Sequence, residues 1–478
     1  MSMVAPGTWH LRSFAAAVIA LVTIVIVLAR GGHGAERAPN NPQNLAVELF
    51  KELIEINTVV DSGDTARAAD AMAARLRAAG FTGADLQVFK PAPRKGNLVA
   101  RLRGRGLRKP ILLLAHLDVV AARESDWSLP PFKFIEKDGF YYGRGSSDDK
   151  YMAAHLVNNL IRYRNEGFVP DRDIVVVLET DEENGDQHGV GIRCLLEHRR
   201  ALLDAEFALN EGGGVVLRQG KPQRVNLAVD EKYTLNIQLQ VSDSGGHSAL
   251  PLPDNAIVRL ADGLGRLARH SFPVVLTPVM RQSLERELAL EAEPMASDMK
   301  ALLDGRSDPA LLARLTARTD LNARLRTTCV PTLLAGGHAT NALPQMARAT
   351  VNCRLLPGES SQQVRSAIVA ALADKRIEVS QVAMQLQQPS SKLIPEVLAA
   401  IEHTAAEFWP GVPVVPVVTA GSTDGRFLRA AGIPTYGHTG LASGESRAHG
   451  KDERVSVKAF NDGGEYLYRL VKRLAGGT

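Results

Sequence analysis

Cysteine is nearly absent from this chain: Cys194, Cys329 and Cys353 are the only three among 478 residues. Three is too few and too odd a number for a disulfide framework, and one bridge is the most it allows. No CxxC spacing occurs, so a transition metal would have to be held by histidine and carboxylate, and the cysteines read as core filling. Charge of one sign is also lacking. Charged residues make up 23% and the formal net charge is +4, an ordinary soluble balance with no electrostatic footprint for nucleic acid. The basic run RLRGRGLRK at 101–109 is punctuated by glycine between two apolar strands, which reads as a solvated hairpin turn rather than a phosphate patch. A hydrophobic run of membrane-spanning length is missing too. The stretch FAAAVIALVTIVIVL at 14–28 follows His10 and Arg12, and its fifteen residues suit the core of a signal peptide better than the roughly 20 of a membrane span. Export is therefore expected, to the periplasm, with residues 1–43 serving as signal peptide or, if uncleaved, as a membrane anchor and linker.

A chain of this length is expected to form two to three domains, at about 100 to 200 residues each. Two helical segments, 45–57 and 66–79, are followed by the continuous apolar runs ILLLA at 111–115 and IVVVLET at 174–180. A helical pattern at 150–167 separates these runs, and such alternation argues for a mostly parallel sheet covered on both faces. At residue 233 the pattern changes: YTLNIQLQV alternates apolar and polar residues, as a strand with one solvated face should. A helix at 257–270, a charged helical stretch at 281–326, a strand at 348–356 and a helix at 360–373 follow. After QLQQPSS the helix and strand pattern of the first part returns, with PVVPVVT as a strand. The expected fold is α/β: a mixed, mostly parallel sheet sandwiched by helices, built from 44–232 and 391–478, with a smaller α+β domain inserted at 233–390.

Seven residues that can bind metal or move protons recur after the apolar runs: His116 and Asp118 in LLLAHLDVV, Asp148 in GRGSSDDK, Glu182 and Glu183 in ETDEENG, Glu211 in NEGGG, and His449 in AHGKDER. Enzymes of α/β class gather their chemistry in the crevice outside the carboxyl ends of the strands. Singly, each residue has an ordinary reading: a histidine at a strand end, an N-cap aspartate, a solvated acidic loop. Together they describe a metal site. His116 and Asp118, two apart at a strand end, point to one face, so the carboxylate can orient the imidazole of a metal-bound histidine. Neighbouring Glu182 and Glu183 can divide labour, one on metal and the other free as the base that metal-assisted hydrolysis requires.

The segments AHLDVV, GRGSSDDK, TDEENG, NEGGG, GGHSALP, NALPQMARATVNCRLLPG, GSTDGRFLRAAGIP and AHGKDERV follow the order and spacing of the M20 metallopeptidases, which the chain resembles from about residue 44 to its end. The resemblance implies two zinc ions sharing Asp148, with cobalt or manganese as alternative ions. His116 and Glu211 would hold one ion, and Glu183 and His449 the other. Glu182 would be the proton-transferring base, Asp118 would orient His116, and the Asp148–Asp149 peptide would be cis. His247 matches a histidine that family dimers place over the partner's active site. Asn341 and Arg354 match positions that bind the substrate carboxylate and oxyanion, and Ser422, Thr423 and Arg426 match the loop holding the far side of the substrate. Two positions depart from the family pattern: Asn210 precedes Glu211 where Asp is frequent, and Tyr151 follows DDK where Gly is frequent. Glu211 then tilts the resemblance to the carboxypeptidase S and aminoacylase branch. The charged segment 277–326 enlarges the insertion, and a larger lid would admit a longer or more apolar acyl group. The expected activity is release of an amino acid with a free carboxylate from a peptide or N-acyl amino acid, by a homodimer assembled through the inserted domain. An M20 dipeptidase is the alternative and a non-catalytic binding member the remote one.

Overall fold

The computed structural model describes residues 42–477 apart from 385, 387, 388, 445 and 446. The apolar segment 14–28 lies outside the described residues. Among those described, no helix is long and apolar enough to cross a membrane.

The apolar runs form the centre of a ten-stranded sheet. Ile111–His116 and Ile174–Glu179 are buried along their whole length and pair in parallel, with Phe207–Asn210 parallel on the other side of Ile111–His116. Thr435–Gly437 continues the parallel run beside Phe207–Asn210. Antiparallel strands flank this centre, Leu86–Ala92 and Lys95–Leu102 on one side and Gly214–Arg218 and Lys221–Glu231 on the other. The sheet is thus mixed with a parallel middle. Helix Lys150–Asn165 has buried residues on nearly every side, as a helix enclosed between other layers should. It packs on Ile111–His116 and beneath the C-terminal helix Val457–Ala475.

A second sheet is antiparallel throughout, in the order Thr328–Gly336, Met346–Leu355, Tyr233–Ser242, Glu378–Met384. The alternation expected at residue 233 is present: Tyr233, Leu235, Ile237, Leu239 and Val241 are buried, against helices Ala256–Arg269 and Ser361–Leu372. The opposite face carries Thr234, Asn236, Asn352 and Arg354, all half-buried.

Three expectations need correction. The 101–109 run is no hairpin turn, because Lys95–Leu102 and Ile111–His116 lie on opposite sides of Ile174–Glu179. The segment between them crosses the start of that strand, held by Arg101 on Asp173 at 2.8 Å and Arg105 on Asp171. The cysteines are not only core filling, since Cys329 and Cys353, register partners in adjacent strands, form a disulfide while Cys194 is free. The charged helical segment does not enlarge the small sheet's layer. Its helices, from Pro278–Glu287 to Thr319–Leu325, bury Met280, Leu284, Leu315 and Leu321 in one cluster with Val418 of the large sheet. Arg224 of the large sheet reaches Glu287 at 3.2 Å and Arg286 reaches Glu402 at 2.6 Å.

Candidate metal centre

The carboxyl ends of the parallel strands deliver the candidate ligands to one place. His116 is the last residue of its strand, Glu182–Asn184 forms a short turn after Ile174–Glu179, and Glu211 directly follows Phe207–Asn210. Asp148 arrives on the turn before helix Lys150–Asn165. That turn passes close to its surroundings: Gly145 has φ of +85°, and a Cβ there would stand 2.8 Å from Val119 Cγ1. The Asp148–Asp149 peptide is cis.

Two groups of possible ligand atoms result. His116, Asp148 and Glu211 offer atoms all within 4.8 Å of one another, as do Asp148, Glu183 and His449. Asp148 belongs to both, with Oδ1 at 3.0 Å from His116 Nε2 and Oδ2 at 3.1 Å from His449 Nε2. His449 Nε2 is also 3.0 Å from Glu183 Oε2, and His116 Nε2 is 3.8 Å from Glu211 Oε1. The tautomer of His116 follows from its other nitrogen. Nδ1 lies 2.9 Å from the main-chain carbonyl of Asp118, which can only accept, so Nδ1 carries a proton and Nε2 is the nitrogen turned to the centre, a donor to Asp148 when protonated and a ligand atom when neutral. The Asp118 carboxylate is farther, at 3.8 Å. It accepts instead from the amides of Glu182 at 3.3 Å and Glu183 at 3.0 Å, fixing the turn that carries both.

The electrostatics call for positive charge. Hydrogen bonds to Asp148 and Glu183 raise the His449 imidazole to about 10. Burial alone would lower His116, yet Glu211, Asp148 and Asp118 raise it well above the usual range. Burial raises Glu211 and Glu182 far above ordinary carboxylates; Glu182 pushes Glu211 further, Asp424, Glu183 and Asp118 push Glu182, and His116 opposes both shifts. Burial acts on Asp148 in the same sense, but hydrogen bonds from the two imidazoles outweigh it and hold its carboxyl low. A set of two glutamates and two imidazoles around a shared aspartate fits divalent cations, which accept His and carboxylate ligands together.

One residue that organises this centre escaped the sequence reading. Glu453, four positions after His449, is fully buried. Its carboxylate accepts from the amides of Gly145 at 2.9 Å, Ser147 at 2.8 Å and Asp148 at 3.2 Å, and from Ser147 Oγ at 3.0 Å. Arg144, itself buried, donates to it at 2.7 Å and to the Gly450 carbonyl at 3.0 Å. The loops carrying Asp148 and His449 are thereby locked together. The only signal in sequence was an acid inside the AHGKDERV motif.

The remaining sequence candidates fall in three other places. His247 lies in a two-stranded ribbon with Asn341 at its end, where the Ser248 amide donates to the Asn341 carbonyl at 3.1 Å; among the described residues neither joins the two ligand groups. Arg354 lies on the polar face of the small sheet, its Nε 3.3 Å from Asn352 Oδ1. Burial lowers its guanidinium, and no carboxylate among the described residues pairs with it. Ser422 and Thr423 lie in the loop before helix Gly425–Ala430 of the large-sheet domain, and Arg426 in its first turn. Arg426 is buried and donates to Asp424 at 2.7 Å, and to Ser422 Oγ at 3.3 Å. Thr423 Oγ1 accepts from Asn210 Nδ2 at 3.1 Å and donates to Glu231 at 2.7 Å. Asn210 is thus engaged away from the two ligand groups, while Glu211 belongs to one. Tyr151 donates from its hydroxyl to the Thr439 carbonyl at 2.5 Å, tying its helix to the segment after Thr435–Gly437.

The sequence profile described as peptidase family M20/M25/M40 matches residues 112–473. The human N-fatty-acyl-amino acid synthase/hydrolase PM20D1 is 30% identical over 374 residues, covering 76% of this chain and 74% of that protein. The probable carboxypeptidase S-like 2 of Dictyostelium discoideum is 27% identical over 375 residues, covering 76% and 71%. Among solved structures, an M20 family metallo-carboxypeptidase, Sso-CP2 from Sulfolobus solfataricus, superposes with a TM-score of 0.67 at 18% identity, over 89% of this chain and 98% of its own. At that identity the likeness concerns the fold.

Proposed function

The chain belongs to peptidase family M20/M25/M40 and is an amide-bond hydrolase, and from that premise we propose that it uses two zinc ions to release an amino acid with a free carboxylate from an N-acyl amino acid or a peptide. The observation that carries this reading is the pair of three-residue ligand groups sharing Asp148, with Glu182 beside them and outside both. His116 and Glu211 would hold one ion, Glu183 and His449 the other. When bound, the two cations would polarise the scissile carbonyl and lower the pKa of attacking water towards about 7.

The chain's own residues perform the rest. Glu182, whose proton affinity is raised by burial and by its acidic neighbours, accepts the proton of the attacking water and delivers it to the leaving amine. Asp118 keeps Glu182 in place through the main-chain amide. Arg354, a guanidinium without an acidic partner among the described residues, is suited to the substrate carboxylate. The relatives' names, an N-fatty-acyl-amino acid hydrolase and a carboxypeptidase S-like protein, support the carboxylate-terminated substrate.

Export and dimerisation belong to the same proposal. A disulfide persists in oxidising compartments, so Cys329–Cys353 supports the exported location read from 14–28, whether residues 1–43 are cleaved or remain as an anchor. The edge strand Thr328–Gly336 exposes Val330, Leu333 and Leu334. An unpaired apolar edge of this kind supports pairing with a second copy.

The test is metal analysis joined to a hydrolysis screen of dipeptides and N-acyl amino acids, each with a carboxylate-blocked control. About two zinc equivalents per chain and cleavage only of free-carboxylate substrates are expected. Failure to bind metal in metal-replete protein, or equal cleavage of blocked substrates, would refute the reading.

A further inference from the structure

The two sheets meet at three consecutive residues whose side chains turn to three different segments. Asp230 and Glu231 end strand Lys221–Glu231, and Tyr233 begins the antiparallel sheet. Asp230 accepts from the Ser391 amide at 3.0 Å and from Ser390 Oγ, where the chain returns from the small sheet. Glu231 accepts from the Thr423 amide at 2.9 Å and from Arg429 at 2.9 Å. Lys232, wholly buried, takes the third direction. Its ammonium donates to the carbonyls of Ala323 and Arg326 at 2.8 Å each and to Thr328 Oγ1 at 3.3 Å, so all three of its protons are engaged. Those carbonyls close helix Thr319–Leu325 and, as terminal carbonyls, have no partner inside it.

Lys232 therefore joins bodies that belong to different layers. The helices ending at Leu325 pack on the large sheet through Val418, whereas Thr328 opens the edge strand of the small one. Thr328 is also the register partner of Arg354, which pairs on its other side with Thr234. This row of three crosses the small sheet at the end nearest the junction, and Thr234 stands two residues after Lys232. Arg354 is near enough to act on the ammonium: burial lowers Lys232 to about 8, Glu359 opposes the shift, and the Arg354 charge adds to it. We propose that Lys232 is a positioning residue for Arg354, fixing where that end of the small sheet stands relative to the metal centre. This rests on the reading of Arg354 as the group that receives the substrate carboxylate. Lys232 itself needs no contact with substrate, because its donors are already used within the junction.

The experiment is a double-variant cycle on the zinc-loaded protein, reading kcat and KM for the best free-carboxylate substrate of the hydrolysis screen. Arg354→Met should raise KM about tenfold or more with kcat little changed, the pattern of binding lost equally from ground and transition state. Lys232→Met should raise KM about threefold or more, with kcat and zinc content as in wild type. In the Arg354→Met background it should add nothing, because residues that act through one contact are not additive. Thr328→Val removes only one of the three acceptors and should raise KM in the same sense by a smaller factor. If Lys232→Met does not fold, the same cycle with Thr328→Val decides. Wild-type KM in the folded variant, an equal rise with and without Arg354, or a loss confined to kcat would overturn the positioning role while leaving the assignment of Arg354 intact. An unchanged KM in Arg354→Met would overturn that assignment and the positioning role with it.

Discussion

Glu453→Gln tests the claim that a residue touching no metal-ligating atom holds the centre together. The native carboxylate divides its donors: Oε1 takes Ser147 and Asp148, and Oε2 takes Gly145 N and Arg144. A glutamine can keep one set on its carbonyl oxygen, but its NH2 then faces donors on the other side. Arg144, buried, loses its counter-charge. Breaking a buried pair from one side costs about 3 to 5 kcal/mol. At about 2.1 cal/mol/K of unfolding entropy per residue, a chain of this size would lose roughly 4 °C in melting temperature. The same loss frees the Asp148 loop, and removing an outer partner of a metal ligand typically weakens metal affinity by about 10- to 100-fold. Calorimetric titration of zinc into the metal-free protein reads the second effect, and scanning calorimetry the first. The variant Arg144→Met/Glu453→Met separates them, because two apolar side chains remove the unpaired buried charge but still leave the Asp148 amide without its acceptor. Zinc affinity should stay low in the double variant although no unpaired buried charge remains. Wild-type zinc affinity in both variants would refute the positioning role of Glu453.

Glu182→Gln removes the proton acceptor without touching either ligand group, so metal content should stay at the wild-type level while kcat falls by about 10²- to 10⁴-fold; full activity would exclude Glu182 as the base. Arg354→Met should raise KM for substrates with a free carboxylate, and equal loss against carboxylate-blocked analogues would exclude direct recognition. Burial lowers His155 and His438 to about 4, below the unfolded value near 6.5. Both rings are neutral in either state at higher pH, so their contribution to stability is full above about pH 6.5 and is lost as pH falls towards 4, by up to roughly 3 kcal/mol each. His155→Phe, at a ring packed 4.2 Å from Phe460, should therefore gain in melting temperature relative to wild type between pH 7 and 4.5, and parallel pH profiles would refute the assignment.

The parts of the molecule legible in sequence share a physical property: their information is local. An apolar run ending in His116 or in the Glu182 turn states both that a strand is buried and that its last residues face the crevice, because strand burial and strand end lie within a few positions of each other. Alternation from Tyr233 likewise announces one solvated face before any partner strand is known. What could not be read depends on which distant segments meet. The 101–109 run has the composition of a turn, but Ile174–Glu179 inserts between the strands it joins, so only the sheet order makes it a crossover. The helical periodicity of 278–325 is plain, yet the surface it packs on is decided by Val418, more than ninety positions later. The disulfide requires the register that sets Cys329 against Cys353. At the centre itself, the error concerned atoms rather than residues. Sequence spacing puts the Asp118 side chain near His116, but the direct contact is made by the Asp118 carbonyl, freeing the carboxylate to hold the amides of Glu182 and Glu183. Glu453 acts in the same way, through main-chain amides of the Asp148 loop. A motif records side chains, so support delivered to backbone groups leaves no pattern in it, and that is where unassigned organising residues of such a centre should be sought.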